Sequence, residues 1–226
     1  MEIWNRIIIR CMNFLGKALP LNIAEFQRAE NRTNWKEGGR GYIINQSALK
    51  HLFYGRENAL TGKLFLGGTP LTAATNSCEV IAVYNCLLYF GFEPDFTELS
   101  YEFSKKGIVL GGVFGTSPKS LINFLKNMGF DTETFVGSHA LKYAKDNGQA
   151  IEKTDEAYIL LSYNEGHNPF KMIHSMCIIP REGGFVRLND GKHRVVFSSL
   201  FDAIDSYVDG RGKPLLLIRI KKSDKS

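Results

Sequence analysis

The chain has 226 residues, of which 44% are hydrophobic and 23% charged, so it is long enough to bury one substantial core. Its formal net charge of +5 comes from 28 Lys and Arg against 23 Asp and Glu, and these cations form no basic stripe with interleaved aromatics of the kind that binds nucleic acid. We therefore expect one globular domain without a nucleic-acid partner.

The first 45 residues are predicted to be an N-terminal arm or helix that precedes a domain over residues 46–226. Arg6, Arg10 and Lys17 interrupt its apolar residues, so it is too broken for a signal peptide and too short for an integral membrane segment. We expect it to dock on the body of the protein, with binding to a membrane surface as the alternative. This arm could be a prosegment that covers a cleft, a segment that packs on the back of the domain, or a dimer contact. Packing on the back is the preferred interpretation. The sequence does not predict an oligomeric state.

Further along, the pattern changes from helices to strands. Residues 47 to about 150 indicate helices, of which one is capped by Asp95 and another opens at Ser117 before a proline. From about residue 157 the pattern is typical of strands, interrupted by a short helix near 199–208. The strand runs are AYILLSYN, KMIHSMCIIP, GFVRLND, HRVVFS and PLLLIRIK. The prediction is an α+β fold, with a helical half followed by an antiparallel sheet half.

Cys78 stands at the start of an unusually apolar helix. Residues 79–90 are apolar on nearly every side, which predicts a helix buried through the middle of the domain. A thiol in the first turn of such a helix, with a cationic neighbour, has a pKa lowered to roughly 3.5–7.5 and becomes a nucleophile. The alternative is that Cys78 is a small buried apolar residue, which is our prediction for Cys86 and Cys177.

The four cysteines show neither metal-ligand spacing nor the density of a disulfide scaffold. Reduced thiols in a cytoplasm fit this pattern best. No cluster of His, Cys, Asp or Glu has ligand spacing, so we expect no metal and no organic cofactor.

A nucleophilic thiol needs a base, and His174 is the preferred histidine because a strand would hold its ring rigidly among core residues. His167, which lies in a predicted turn, is its main rival. Asp190, at the end of the next strand, is predicted to orient the ring of His174. Asn189 would point to the opposite face of a regular strand, so only one of the two can serve. The alternative is that Asn189, Asp190 and Gly191 simply form a hairpin turn.

These residues together resemble a known family. The block Asn76-Ser77-Cys78-Glu79-Val80-Ile81-Ala82 resembles the Asn-Ser-Cys-Gly-Pro-x-Ala nucleophile motif of papain-like cysteine peptidases of the bacteriocin double-glycine leader type. His174 and Asp190 match the strand-borne histidine and the later aspartate of that family, and residues 111–118 resemble its Gly-rich stretch. The resemblance covers roughly residues 60–221. It implies a papain-like fold, a Cys78–His174–Asp190 triad, an acyl-enzyme and a peptide or amide substrate.

The chain departs from the family pattern at two positions. Thr72 stands where the family has a glutamine that helps to hold the oxyanion, and Asn76 is predicted either to replace that donor or to cap the helix. Glu79 replaces the glycine that normally follows the nucleophile. It places a bulky anion beside a site that should stabilise negative charge.

The sequence therefore predicts a thiol-dependent hydrolase, a peptidase or amidase, that acts through Cys78, His174 and Asp190, with Asn76 beside them. Residues 111–114 and 164–170 would flank its cleft. Three alternatives remain: an acyltransferase with the same triad, a catalytically inactive papain-like protein that binds a peptide, and a structural or regulatory protein in which the triad is a coincidence.

Overall fold

A computed structural model describes residues 2–18, 25–36, 41–52, 54, 72–112, 114–148, 155–169, 173–191, 195–208 and 213–223. The helices within these ranges are α1 (Glu2–Ala18), α2 (Glu25–Lys36), α3 (Ala73–Asn76), α4 (Cys78–Tyr89), α5 (Phe96–Lys105), α6 (Pro118–Asn127), α7 (Ser138–Asn147) and α8 (Leu200–Val208). Short 3-10 turns occupy Gln46–Leu49 and Leu110–Gly112. The strands are β1 (Phe130–Val136), β2 (Glu156–Tyr163), β3 (Ile173–Arg181), β4 (Gly184–Leu188), β5 (Val196–Phe197) and β6 (Pro214–Lys222).

The described strands form one six-stranded sheet in the order β1-β6-β2-β3-β4-β5. Every neighbouring pair is antiparallel. The predicted α+β class, with a helical half and an antiparallel sheet half, is therefore confirmed. Parts of several predictions lie outside the described residues. They include 1, 19–24 and 37–40 in the N-terminal arm, 53 and 55–71 in the predicted helical half and at the start of the family resemblance, Val113 and Phe170 in the predicted flanking loops, and 171–172 and 193–194 at the start of two strand runs.

Successive side chains of a strand point to opposite faces of a sheet, and both faces of this sheet are covered. Cys177 and Ile179 of β3 belong to the larger core, which is built around α4. Met176 and Ile178 belong to a smaller core beneath α7 and α8. Cys86 of α4 meets Cys177 with their Sγ atoms 3.2 Å apart, and both are fully buried. This contact agrees with the packing role predicted for both cysteines, and it joins the second half of α4 to the middle of β3.

The sheet begins earlier in the chain than predicted, because β1 lies within the segment that was expected to be mainly helical. β1 is an edge strand that pairs with β6 alone, and most of its side chains are at least partly exposed. An edge strand with polar residues on both faces lacks the apolar alternation by which strands are recognised in a sequence. The hydrophobic pattern therefore changes from helical to strand-like near residue 150, whereas the first strand of the sheet already begins at residue 130.

The N-terminal helix α1 packs on the body of the protein. Met12 belongs to the larger core, and Asn5 Oδ1 accepts a hydrogen bond of 3.0 Å from the hydroxyl of Tyr163. On its other side, Ile3 and Phe14 are exposed.

Within the described residues, no helix combines the length and apolar character needed to cross a membrane. The division at residue 45 and the role of the arm stay predictions.

Candidate active site

The helix that carries Cys78 begins where the sequence predicted. α4 starts at Cys78, one residue after the short helix α3, and ten of its twelve residues are buried. Its apolar surface on all sides is what places it between the sheet and the other helices. Cys78 is 5% exposed and lies at the helix N-terminus, where it borders a cleft.

That cleft has a volume of about 480 Å³, and all four residues predicted for the site line it. Cys78 and Asn76 come from the junction of α3 and α4, His174 from the start of β3, and Asp190 from the turn after β4. The Sγ atom of Cys78 lies 3.8 Å from the carbonyl oxygen of Ile173, the residue before the histidine. Sequence positions more than 100 residues apart thus meet at one end of the sheet.

The ring of His174 is held by a backbone carbonyl. Its Nε2 atom lies 2.5 Å from the carbonyl oxygen of Asn189, and its ring lies 6.2 Å from that of Tyr207 in α8. Because a carbonyl only accepts, Nε2 carries the proton in this contact and Nδ1 carries the lone pair of a base. His167, the rival base, contacts Tyr163 with its ring, and its carbonyl oxygen accepts from Trp4 Nε1.

The carboxylate of Asp190 forms a buried ion pair with Arg187 of β4, at 2.9 Å and 3.0 Å. The guanidinium of Arg187 also donates to the carbonyl of Ala203 in α8. Asn189 has a φ of 68°, so the regular alternation expected for Asn189 and Asp190 has already ended there. The structure thus shows the carbonyl of Asn189 as an acceptor for the histidine ring. The triad role of Asp190 stays a prediction.

Asn76 is buried, and neither Oδ1 nor Nδ2 of its side-chain amide has a hydrogen-bond partner among the described residues. Its side chain does not cap α4, since the N-cap position belongs to Ser77. Asn76 also lines a small cavity of about 20 Å³ together with Cys78 and Glu79. A space of this size holds one water molecule or one oxygen atom of a substrate. A buried amide without a hydrogen-bond partner costs stability.

Gln46 is a cleft residue that the sequence analysis missed. Its Nε2 donates to the carbonyl of Ala74 at 2.9 Å, and its backbone N–H donates to Asn189 Oδ1 at 2.9 Å. It thereby joins the segment before Cys78 to the turn that holds His174. No signal in the sequence points to it, because it lies outside the nucleophile motif. Thr72, by contrast, is used locally at the start of α3, where its N–H donates to Thr75 Oγ1.

Glu79 brings a buried carboxyl group against the thiol. It is 1% exposed, and its Oε2 atom lies 3.4 Å from Cys78 Sγ. Burial raises the pKa of Glu79 to about 7. Burial, and after it the neighbouring Glu79 carboxylate, raise the pKa of Cys78 well above its usual range. The expected lowering of this pKa is therefore wrong for the resting site, because desolvation and an adjacent anion outweigh the helix N-terminus.

Among the described residues, no group of three or more His, Cys, Asp or Glu side chains is arranged to hold a metal ion.

Comparison with known proteins gives little further information. No protein-family model and no curated protein matches the chain. In structure the chain is similar to the peptidase domain of Streptococcus ComA, a bi-functional ABC transporter involved in a quorum-sensing pathway. The TM-score is 0.44 at 13% sequence identity, over 66% of this chain and 93% of that chain. A similarity of this size assigns neither a family nor an activity, so the functional argument depends on the residues of the cleft.

Proposed function

We propose that the protein is a papain-like cysteine hydrolase that cleaves a peptide or amide bond through an acyl-enzyme on Cys78. The observation that supports this proposal is the convergence of Cys78, His174 and Asn76 on one cleft at the N-terminus of a buried helix. A thiol, an imidazole and an unpartnered amide are the nucleophile, base and oxyanion donor that acyl transfer requires.

In the simplest version of the mechanism, Nδ1 of His174 takes the thiol proton and the sulfur attacks the substrate carbonyl. The imidazolium then protonates the leaving amine, and water resolves the thioester. The turn at Asn189 and Asp190 orients the ring, through the carbonyl of Asn189 and through the Arg187 pair that holds Asp190.

The oxyanion would form beside Asn76. Asn76 and Cys78 both line the small cavity next to the thiol, and the Nδ2 group of Asn76 and the backbone N–H of Cys78 would be the donors. Removing one such donor from an acyl-transfer enzyme typically slows the reaction by roughly a hundred- to a thousandfold. This role would explain why the amide of Asn76 has no partner within the described residues.

The proposal is tested by incubating the protein with a mixture of synthetic peptides and following cleavage by mass spectrometry. Wild type is compared with C78A and H174A, and folding of each variant is checked by circular dichroism. We expect cleavage by wild type and none by C78A. Cleavage that persists in folded C78A would contradict the proposal.

The same experiment separates hydrolysis from acyl transfer. Hydroxylamine added to the reaction captures an acyl-enzyme as a hydroxamate, whereas water gives the free acid. A hydrolase releases acid without an added amine. An acyltransferase releases product only when an acceptor amine is present.

A second candidate function is peptide binding without turnover, and one observation favours it. The Glu79 carboxylate lies against the thiol, and the pKa of Cys78 is raised, which disfavours the reactive thiolate at neutral pH. Titration of the same peptides by calorimetry tests this candidate. Binding by both wild type and C78A, with no product from either, would establish binding as the function of the cleft.

A further inference from the structure

Glu79 is a buried acid that the mechanism above does not use. The thiol of Cys78 donates to its Oε2 atom across 3.4 Å. Glu79 lies in the first turn of α4, where unpaired backbone N–H groups and the helix dipole favour a negative charge. Its carboxylate is therefore a proton acceptor already in contact with the sulfur.

The Gly-rich loop fits closely around this carboxyl group. Gly115 has a φ of +64°, and a Cβ atom added there would lie 2.3 Å from Glu79 Oε2. The backbone N–H of Thr116 also lies at the carboxylate. The hydroxyl of Tyr54, itself fully buried, hydrogen-bonds the hydroxyl of Thr116. The loop thus fixes the position of the carboxyl group, and Tyr54 holds the loop through Thr116.

His174 is held differently. Its Nε2 contacts the carbonyl of Asn189, and its ring lies beside Tyr207, a residue of the smaller core. Side chains alternate along β3, so His174 shares a sheet face with Met176, whereas Cys177 faces α4. The imidazole reaches the cleft from the opposite face of the sheet to the one that packs on α4.

We propose that Glu79 is a further catalytic residue, which accepts the proton of the Cys78 thiol directly, so that the nucleophile acts as a cysteine–glutamate pair. This inference rests on the proposed function. In the step, the S–H bond breaks and an O–H bond forms on Oε2. The sulfur lone pair forms the bond to the carbonyl carbon, and the carbonyl π electrons move to its oxygen. When the C–N bond breaks, the proton passes from Glu79 to the leaving amine, and His174 remains available to deprotonate the resolving water.

The charges favour this route. Transfer from thiol to carboxylate leaves the pair with one negative charge throughout, whereas transfer to an imidazole creates two new charges in a desolvated site. Once protonated, Glu79 is a hydrogen-bond donor at the small cavity that it lines with Asn76, so it no longer repels an oxyanion there. A pKa raised to about 7 also suits a base that works near neutral pH.

The test measures alkylation of Cys78 by iodoacetamide as a function of pH, with peptide mapping by mass spectrometry. Cys11 is exposed and serves as the reference thiol in the same molecule. The other titratable side chains described at the pair or its cleft are Tyr54, His174, Asp190 and Tyr207. The proteins compared are therefore wild type, E79Q and H174A, because a histidine would also titrate near neutral pH.

In wild type and in H174A, we expect the alkylation rate of Cys78 to rise with pH through a step near pH 7. In E79Q that step should be absent, and Cys78 should react roughly a hundredfold more slowly at neutral pH, while Cys11 is unchanged. Faster or unchanged alkylation of Cys78 in E79Q would overturn the inference, as would loss of the step in H174A instead.

Two glycine variants serve if E79Q does not fold. G115A pushes the carboxyl group away from the thiol, and it should slow Cys78 as E79Q does. G91A is the control, since Gly91 has a φ of +84° but open space around it, and it should leave the rate unchanged. Equal rates in G115A and wild type would overturn the inference. A Glu79-dependent step in a protein that cleaves no peptide would support proton transfer from Cys78 to Glu79 and would refute only the proposed function.

Discussion

Two buried asparagines make a matched pair for testing the role of Asn76 at the residue scale. Asn85 of α4 is fully buried, and its amide bonds both the N–H and the carbonyl of Ile43 at 2.8 Å. Asn76 is 2% exposed and has no partner within the described residues. One amide is used by the fold, and we propose that the other is used by the reaction.

N76A should lower kcat roughly a hundred- to a thousandfold with little change in KM, because an oxyanion donor acts only in the transition state. Urea unfolding should show that N85A loses about 1–3 kcal/mol more stability than N76A, because it leaves two backbone groups of Ile43 without partners. Full activity in N76A, or equal destabilisation by both substitutions, would contradict this assignment.

The buried Glu79 should also make stability depend on pH. Burial raises its pKa from 4.5 to about 7, so the folded state binds more protons than the unfolded state between these values. Its contribution to stability is therefore greatest at acid pH and falls as the pH rises through this window. At about 1.4 kcal/mol per pKa unit, the loss approaches about 3 kcal/mol.

The measurement is the unfolding free energy of wild type minus that of E79Q, from urea titrations between about pH 5 and pH 8. Other titrating groups are common to both proteins and cancel. The difference should fall as the pH rises and level off above about pH 7. A difference that is constant, or that rises with pH, would show that the carboxyl is not shifted upward.

Residue types and spacing were enough to predict Cys78, His174 and Asp190 at one cleft, but not their hydrogen bonds. The acceptor for the His174 ring is the backbone carbonyl of Asn189. Every residue has a backbone carbonyl, so no sequence pattern marks this one. The Glu79 carboxyl group has room beside the thiol because Gly115 has no Cβ atom, and the sequence shows Gly115 only as one glycine among several.

At the scale of elements, the pair of Arg187 and Asp190 joins β4 to α8. Both side chains are nearly inaccessible, and Arg187 also donates to Ala203 and to Ser206 Oγ. Lys105 and Glu102 form an ion pair of similar spacing on the exposed surface of α5.

D190A should cost about 3–5 kcal/mol of stability, because it leaves the Arg187 guanidinium buried without its counter-charge. E102A should cost less than about 1 kcal/mol. Urea unfolding of both variants checks the prediction. If D190A keeps wild-type stability and loses only activity, the carboxylate serves the histidine rather than the fold.

Elements with a clear apolar pattern were predicted, among them α4 and the strands β2, β3, β4 and β6. The edge strand β1 was missed because its partly exposed residues carry no alternation. Pairing with β6, which only the tertiary structure supplies, makes it a strand.

At the scale of the whole molecule, α1 closes one side of the larger core while part of its surface stays exposed. Asn5 is 2% exposed and accepts from the buried Tyr163, whereas Ile3 on the same helix is 76% exposed. Substitutions at these two positions therefore distinguish a helix that is packed on the domain from an arm that is loosely attached.

N5A should reduce the free energy of unfolding by about 1–3 kcal/mol, because the Tyr163 hydroxyl loses its acceptor. I3A on the exposed side should change it by less than about 0.5 kcal/mol. Urea midpoints of the two variants provide the measurement. Equal and negligible effects would indicate that α1 does not stabilise the domain.

Formation of an acyl-enzyme on Cys78 can be measured without knowledge of the natural substrate. The protein is exposed briefly to p-nitrophenyl acetate, quenched in acid and analysed by peptide mapping. We predict one acetyl group on Cys78, none on Cys11, Cys86 or Cys177, and release of p-nitrophenolate that is lost in C78A. Acetylation of Cys11 in preference to Cys78, or equal release by wild type and C78A, would show that Cys78 is not the nucleophile.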